Sequence, residues 1–241
     1  MASFGQMPLS KTIWVHILLL KVIHKGSLDM YYYYTSPYYV YDFRQQPDLS
    51  QANHKMRSHL STIRQIPIHS SSFQRSMAAV VKHLQVVSRA LALGCGMSSE
   101  FRFLPDTWGL RELHIVHAKY LTPLSYHVYS ALGAAELLAS GQGRAPHFPL
   151  MVGCMNSILR LWSNFPAAIA DLRRAAGRQY ASSVDEAERL LRPMVPSTQQ
   201  ALSISQSAVS PAIWEASLRA AHLAREVRQN VAQSVSQGSS Y

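Results

Sequence analysis

Phe73, Met77, Val80, Leu84, Val87 and Leu91 follow one another at alternating spacings of four and three. That rhythm keeps side chains on one side of an α-helix, so it predicts a helix beginning near Ser70 with one apolar stripe about five turns long. Ser72 is the expected N-terminal cap, and Gly94 suits the left-handed residue after the last turn. Downstream, Leu110 to Tyr120 reads as helix ahead of Pro123. Leu124 to Ser140 follows, its Leu124, Val128, Ala131, Ala135 and Leu138 sharing a face. Gly141 to Pro149 reads as a loop. Leu150 to Asn164 is helical through Met151, Cys154, Met155, Ile158, Leu161 and Trp162, and Pro166 then suits the first turn of a successor running to about Tyr180. Ser183 and Glu186 have capping-box spacing and predict a short helix from Val184 to Arg192. Pro193 to Pro196 reads as a break followed by a polar Ser/Gln region, and Ser210 with Pro211 opens a last helix to about Ser234.

Alternating strand and helix patterns are missing after Gly96, which argues against a doubly wound sheet. The expectation is a mainly α protein: a bundle of about six to seven helices carrying an irregular, tyrosine-rich N-terminal arm. Residues 1–50 form that arm and 51–241 a basic helical domain. Seven of the twelve tyrosines fall between Met30 and Tyr41, and a nine-residue apolar run, Thr12 to Leu20, lies between Lys11 and Lys21. A secretory signal or a mitochondrial presequence would each use such a run. The first lacks small cleavage-site residues after it and the second lacks arginines, so a buried short helix or strand from Ile13 to Ile23 is the favoured reading. No uninterrupted apolar run approaches the roughly 18 to 20 residues that cross a bilayer, so no transmembrane span is expected.

With 48% hydrophobic and 15% charged residues, the 241-residue chain is too apolar to stay disordered. Its formal net charge of +10 favours polyanionic partners. More than half of that excess lies in residues 49–99, which hold Lys55, Arg57, Arg64, Arg75, Lys82 and Arg89 and no acidic residue. His54, His59, His69 and His83 lie there too and add charge below about pH 6.5. Arg75, Lys82 and Arg89 recur every seven residues, a spacing that drifts only about 20° per step on a helix and so makes a basic line. The six cations are the candidate nucleic-acid-binding residues.

Other chemistry is sparser. The stretch Leu91, Ala92, Leu93, Gly94, Cys95, Gly96 resembles the glycine-rich first motif of S-adenosylmethionine-dependent methyltransferases. Over these six residues the resemblance implies a strand passing into a cofactor-binding turn, where glycine allows close backbone approach. The residues before it have helical periodicity, and the acid that should end a second strand and hold the ribose is absent after Leu113 to His117, so the residues themselves read as a helix end at Gly94. His114 and His117 could face one metal, with Glu112 or His127 added, although a polar helix face explains them as well. Cys95 and Cys154 read as small buried hydrophobes. A hydrolase elbow, a Walker loop and a calcium loop are absent from the sequence. Tyr31 to Tyr41 with Arg44 could stack on bases or adhere to protein, and Arg219, Arg225 and Arg228 beside Trp214, Leu218 and Ala221 fit a partner-facing helix.

The first reading is a non-enzymatic, self-assembling structural protein in a packaging, coat-type or scaffold role. It would hold RNA or DNA phosphates, or another polyanion, without reading sequence, and pair with itself or with protein partners. The alternative is an accessory subunit of a larger complex, mitochondrial in one version, whose N-terminal segments are covered by partners and whose charge is incidental. A methyltransferase is third. The first two readings call for no cofactor and no metal, and an intracellular location is favoured.

Overall fold

The computed structural model describes residues 56–101 and 111–238, all within the unit Ala52–Tyr241. The expectations for residues 1–50, His54 and Lys55 lie outside the described residues. The rest is a mainly α-helical bundle, with no strand among the described residues. A short helical segment at 56–63 precedes α1 (Ser71–Phe101). Then come α2 (Arg111–Val116), one π-helical turn (His117–Leu121), α3 (Thr122–Ala139), α4 (His147–Leu191), α5 (Met194–Ser207) and α6 (Pro211–Gly238).

The predicted stripe is the core seam of α1: Phe73, Met77, Val80, Leu84, Val87 and Leu91 are each at most 2% exposed. Burying a large apolar side chain is worth roughly 1.5–3 kcal/mol, so this stripe alone commits the segment to a helix packed inside the bundle. α1 packs on α3, α4 and α5, and α4 also holds α2 and α6. At the junction of three helices the Phe148 ring lies 6.0 Å from Phe73 and 6.4 Å from Trp214. The lower end of the seam, Val87 and Leu91, joins Leu113, Leu124, Phe165 and Leu191 in a second apolar cluster. By length and composition Ser71–Cys95 is also a stretch that could cross a membrane. Counting uninterrupted runs overlooks it because its basic line breaks the run; here its apolar side packs on other helices.

Four boundary expectations are corrected. The first concerns α1, which does not end at Gly94 but runs on to Phe101, because Gly94 meets Leu191 in a close helix approach rather than capping anything. Leu91 to Gly96 therefore lie inside a helix, and the strand and turn that the methyltransferase resemblance implies are not formed there. At its start, the backbone N–H of Gln74 bonds to the Ser70 carbonyl, and the Ser72 hydroxyl pairs with Ser70 Oγ at 2.7 Å instead of capping.

The second concerns Pro166, which opens no new helix. It sits exposed on the outer face of α4 while Phe165, Ala168, Ile169 and Leu172 stay buried, so the proline's missing N–H falls on the solvent side. The break comes instead at Gly177, whose φ of 72° and ψ of 180° suit glycine alone. Beyond it the chain turns back: Arg173 reaches both Asp185 and Glu188, the latter at 3.0 Å, although 15 residues of straight helix would span about 22 Å. Third, Ser183 and Glu186 form no capping box, since both lie inside the second arm and Glu186 pairs with Arg189.

Finally, the Pro193 to Pro196 stretch starts a helix, α5, where a break and a polar region were expected. Prolines in a first turn give up N–H groups that have no helical partner anyway. Met194, Thr198, Ala201 and Ser205 form its buried face, and the hydroxyls of Thr198 and Ser205 each donate at 2.7 Å to the carbonyl four residues earlier. The last helix starts as expected, with the Ile213 N–H donating to Ser210 Oγ at 3.4 Å.

Candidate polyanion interface

The buried seam determines where the cations of α1 point. Each residue of the series Arg75, Ala79, Lys82, Val86, Arg89, Leu93 lies two positions after a seam residue, about 200° around the helix. The outward face therefore repeats the four-three rhythm with cations and apolar residues in alternation. Arg75, Lys82 and Arg89 are exposed, and about 21 Å of helix axis separates the first from the last. Val86 and Leu93 between them are 45% and 51% exposed. Arg57 and Arg64 are exposed on the preceding segment, which Ile63 and Ile66 anchor in the same apolar cluster as the upper seam. The structure thus places the three α1 cations on one face and the other two described cations at the surface.

Their electrostatic setting differs from that of five arginines further along the chain. Arg173, Arg174, Arg189, Arg192 and Arg219 each meet a carboxylate, Arg189 in a two-pronged contact with Glu186 and Arg219 at 3.2 Å from Glu215. No ion pair among the described residues involves Arg57, Arg64, Arg75, Lys82 or Arg89. The Arg75 guanidinium only reaches back to the Ser71 carbonyl at 3.3 Å. The neighbouring helix α5 has no charged residue, and α3 has one, Glu136. Among the described residues, no carboxylate neutralises Arg75, Lys82 or Arg89 at the surface of α1.

The alternative sites do not assemble. No group of three His, Cys, Asp or Glu suited to a metal exists among the described residues, so His114 and His117 gain no further ligand from Glu112 or His127. Cys154 is buried, and burial pushes the Cys95 thiol up to about 11, the Ser125 hydroxyl offsetting part of the effect. Neither cysteine is set up as a nucleophile. On α6, Trp214 and Ala220 face the core and Arg219 is paired, which uses part of the amphipathic pattern inside the protein.

Two arrangements escaped the sequence reading because they join residues far apart in the chain. Arg160 on α4 lies near Arg225 on α6, and burial together with that second positive charge lowers its affinity for its proton. A cleft of about 580 Å³ opens between α4 and the α2 and π-turn wall, bordered by Arg111, Glu112, Lys119 and Tyr120 on one side and Asp171 and Arg174 on the other. No protein-family model, curated protein or solved structure matches the chain, so the reading of these surfaces rests on their physical chemistry.

Proposed function

We propose that the chain is a non-enzymatic structural protein that binds the phosphate backbone of nucleic acid, or a comparable polyanion, on the outer face of α1. The observation that carries this reading is the absence of carboxylate partners, among the described residues, for the exposed Arg57, Arg64, Arg75, Lys82 and Arg89, while Arg173, Arg174 and Arg189 on α4 and Arg219 on α6 are paired. A line of cations without fixed acceptors neutralises phosphates and reads no base edges, so binding is independent of sequence. Self-assembly belongs to the same reading, in which many weak backbone contacts act together on one strand.

Copurification supplies the first test: an absorbance ratio at 260 and 280 nm well above that of pure protein indicates bound nucleic acid. The decisive measurement is the salt dependence of affinity for a single-stranded oligonucleotide. Changing Arg75, Lys82 and Arg89 together to Gln should make the log–log slope shallower by about two to three units. An unchanged slope in the folded variant rejects the α1 face as the contact.

A second reading has its own observation. Val86 and Leu93 lie exposed between the cations, and apolar side chains there gain nothing from a hydrated phosphate backbone. They favour a protein partner over nucleic acid, in a form that differs from the accessory subunit read off the sequence: the charge is not incidental, and an acidic helix of the partner covers α1.

A further inference from the structure

Among α2, the π turn and α3, the core-facing residues are Leu113, Val116, Leu121, Leu124 and Val128. Successive core residues of an α-helix are three or four apart, yet Val116 and Leu121 are separated by five. The π turn at His117–Leu121 absorbs that additional residue and returns Leu121 to the core. Within the same turn Lys119 is exposed and Tyr120 is partly buried against the core, and both line the cleft. Such one-residue bulges have poorer hydrogen-bond geometry than the helix around them and occur disproportionately at functional sites.

The cleft has the makings of an anion site. Arg111 and Lys119 lie on its first wall, and neither has an ion-pair partner among the described residues. Across from them Arg174 is held by Asp171 of its own helix. Tyr120 is fixed by edge-on packing against Phe165 at 5.7 Å, and Ala167, Ala168 and Ala175 leave the space beside it open. About 580 Å³ falls within the range of small-molecule sites.

We propose that this cleft binds a nucleoside monophosphate, with its phosphate between Arg111 and Lys119 and the flat face of its base beside Tyr120 and the alanines. A phosphomonoester carries close to two negative charges at pH 7, which matches two cations with no ion-pair partner among the described residues, on a wall that also carries Glu112. The site shares no residue with the α1 face, so it stands or falls independently of the polyanion reading.

Calorimetric titration of the full chain with adenosine monophosphate, adenosine and inorganic phosphate tests it. Adenosine monophosphate should saturate one site, with phosphate weaker and adenosine alone weaker still. Lys119→Gln and Arg111→Gln should each weaken binding about tenfold or more without shifting the thermal midpoint, as both side chains are exposed. Ala175→Trp, which fills the cleft from an exposed position, should abolish it. Absence of saturation at millimolar ligand, or equal affinity in all three variants, overturns the proposal. So does loss of binding only in the Arg75, Lys82 and Arg89 variant, which would place the phosphate on α1.

Discussion

Leu191 fills the space that a β-carbon on Gly94 would take, its Cγ and Cδ2 lying 2.5 Å from that position. Both residues are buried, so neither can yield easily. In an ordinary helix interior Gly→Ala adds about 1 kcal/mol of stability. Overpacking costs about 1–3 kcal/mol, so Gly94→Ala should lower stability instead. In a Leu191→Ala background the sign should reverse, and chemical denaturation of the four proteins measures that coupling.

Adjacent positions on α1 separate its two faces. Leu84 is fully buried and Gln85 is exposed. Leu84→Ala should cost about 2–5 kcal/mol, and Gln85→Ala about 0.5 kcal/mol or less. Equal thermal shifts would contradict the assigned face.

Gly177 offers a cleaner backbone experiment, because nothing lies within 4 Å of an added β-carbon. Any cost of Gly177→Ala comes from its φ of 72° alone, and about 1–3 kcal/mol is expected. Asn tolerates positive φ only near ψ of about 47°, far from the 180° found here, so Gly177→Asn should lose about as much as Gly177→Ala. Arg173→Gln removes the bridge across the same turn; its exposure limits the loss to about 1 kcal/mol, and high salt should erase it.

Alkaline pH should single out Cys95. The fold favours the neutral thiol, raising its midpoint from 9.0 to about 11 through burial. Its contribution is intact below pH 9 and is lost as pH rises to 11, an effect of about 2–3 kcal/mol at most. Thermal melts from pH 8 to 11 should fall less steeply for Cys95→Ala than for the unmodified chain.

The two readings of the α1 face differ in what Val86 and Leu93 do. If phosphates lie there, Val86→Gln with Leu93→Gln should leave oligonucleotide affinity within about twofold, since phosphate affinity follows the cations. If an acidic helix covers the face, affinity for a helical Glu-rich peptide should fall by about tenfold or more, as two apolar contacts are removed. Fluorescence anisotropy with both probes separates the cases.

The α1 core seam was legible because six large apolar residues kept one period without interruption. The α5 helix was not, because its buried face is built from Thr198, Ala201 and Ser205, and letters that look solvated turn out to satisfy their own hydroxyls. Proline and glycine misled in complementary ways. Pro166 breaks nothing when its ring faces solvent, while Gly94 and Gly177 have the same side chain and opposite uses, close packing in one and positive φ in the other. Local spacing could place the basic line on a helix. It could not reveal whether distant carboxylates would pair with it, nor join Lys119 to Arg174 across a cleft.

Among the described residues, Arg173, Arg174 and Arg189 on α4 are paired while Arg75, Lys82 and Arg89 on α1 are not, so charge is spread unevenly over these helices. On the proposed polyanion reading, such a field turns an approaching anion toward α1 before contact and shortens the rotational search for a productive encounter. At physiological ionic strength this guidance fades beyond about 8 Å, so it acts over the last few water layers of the approach.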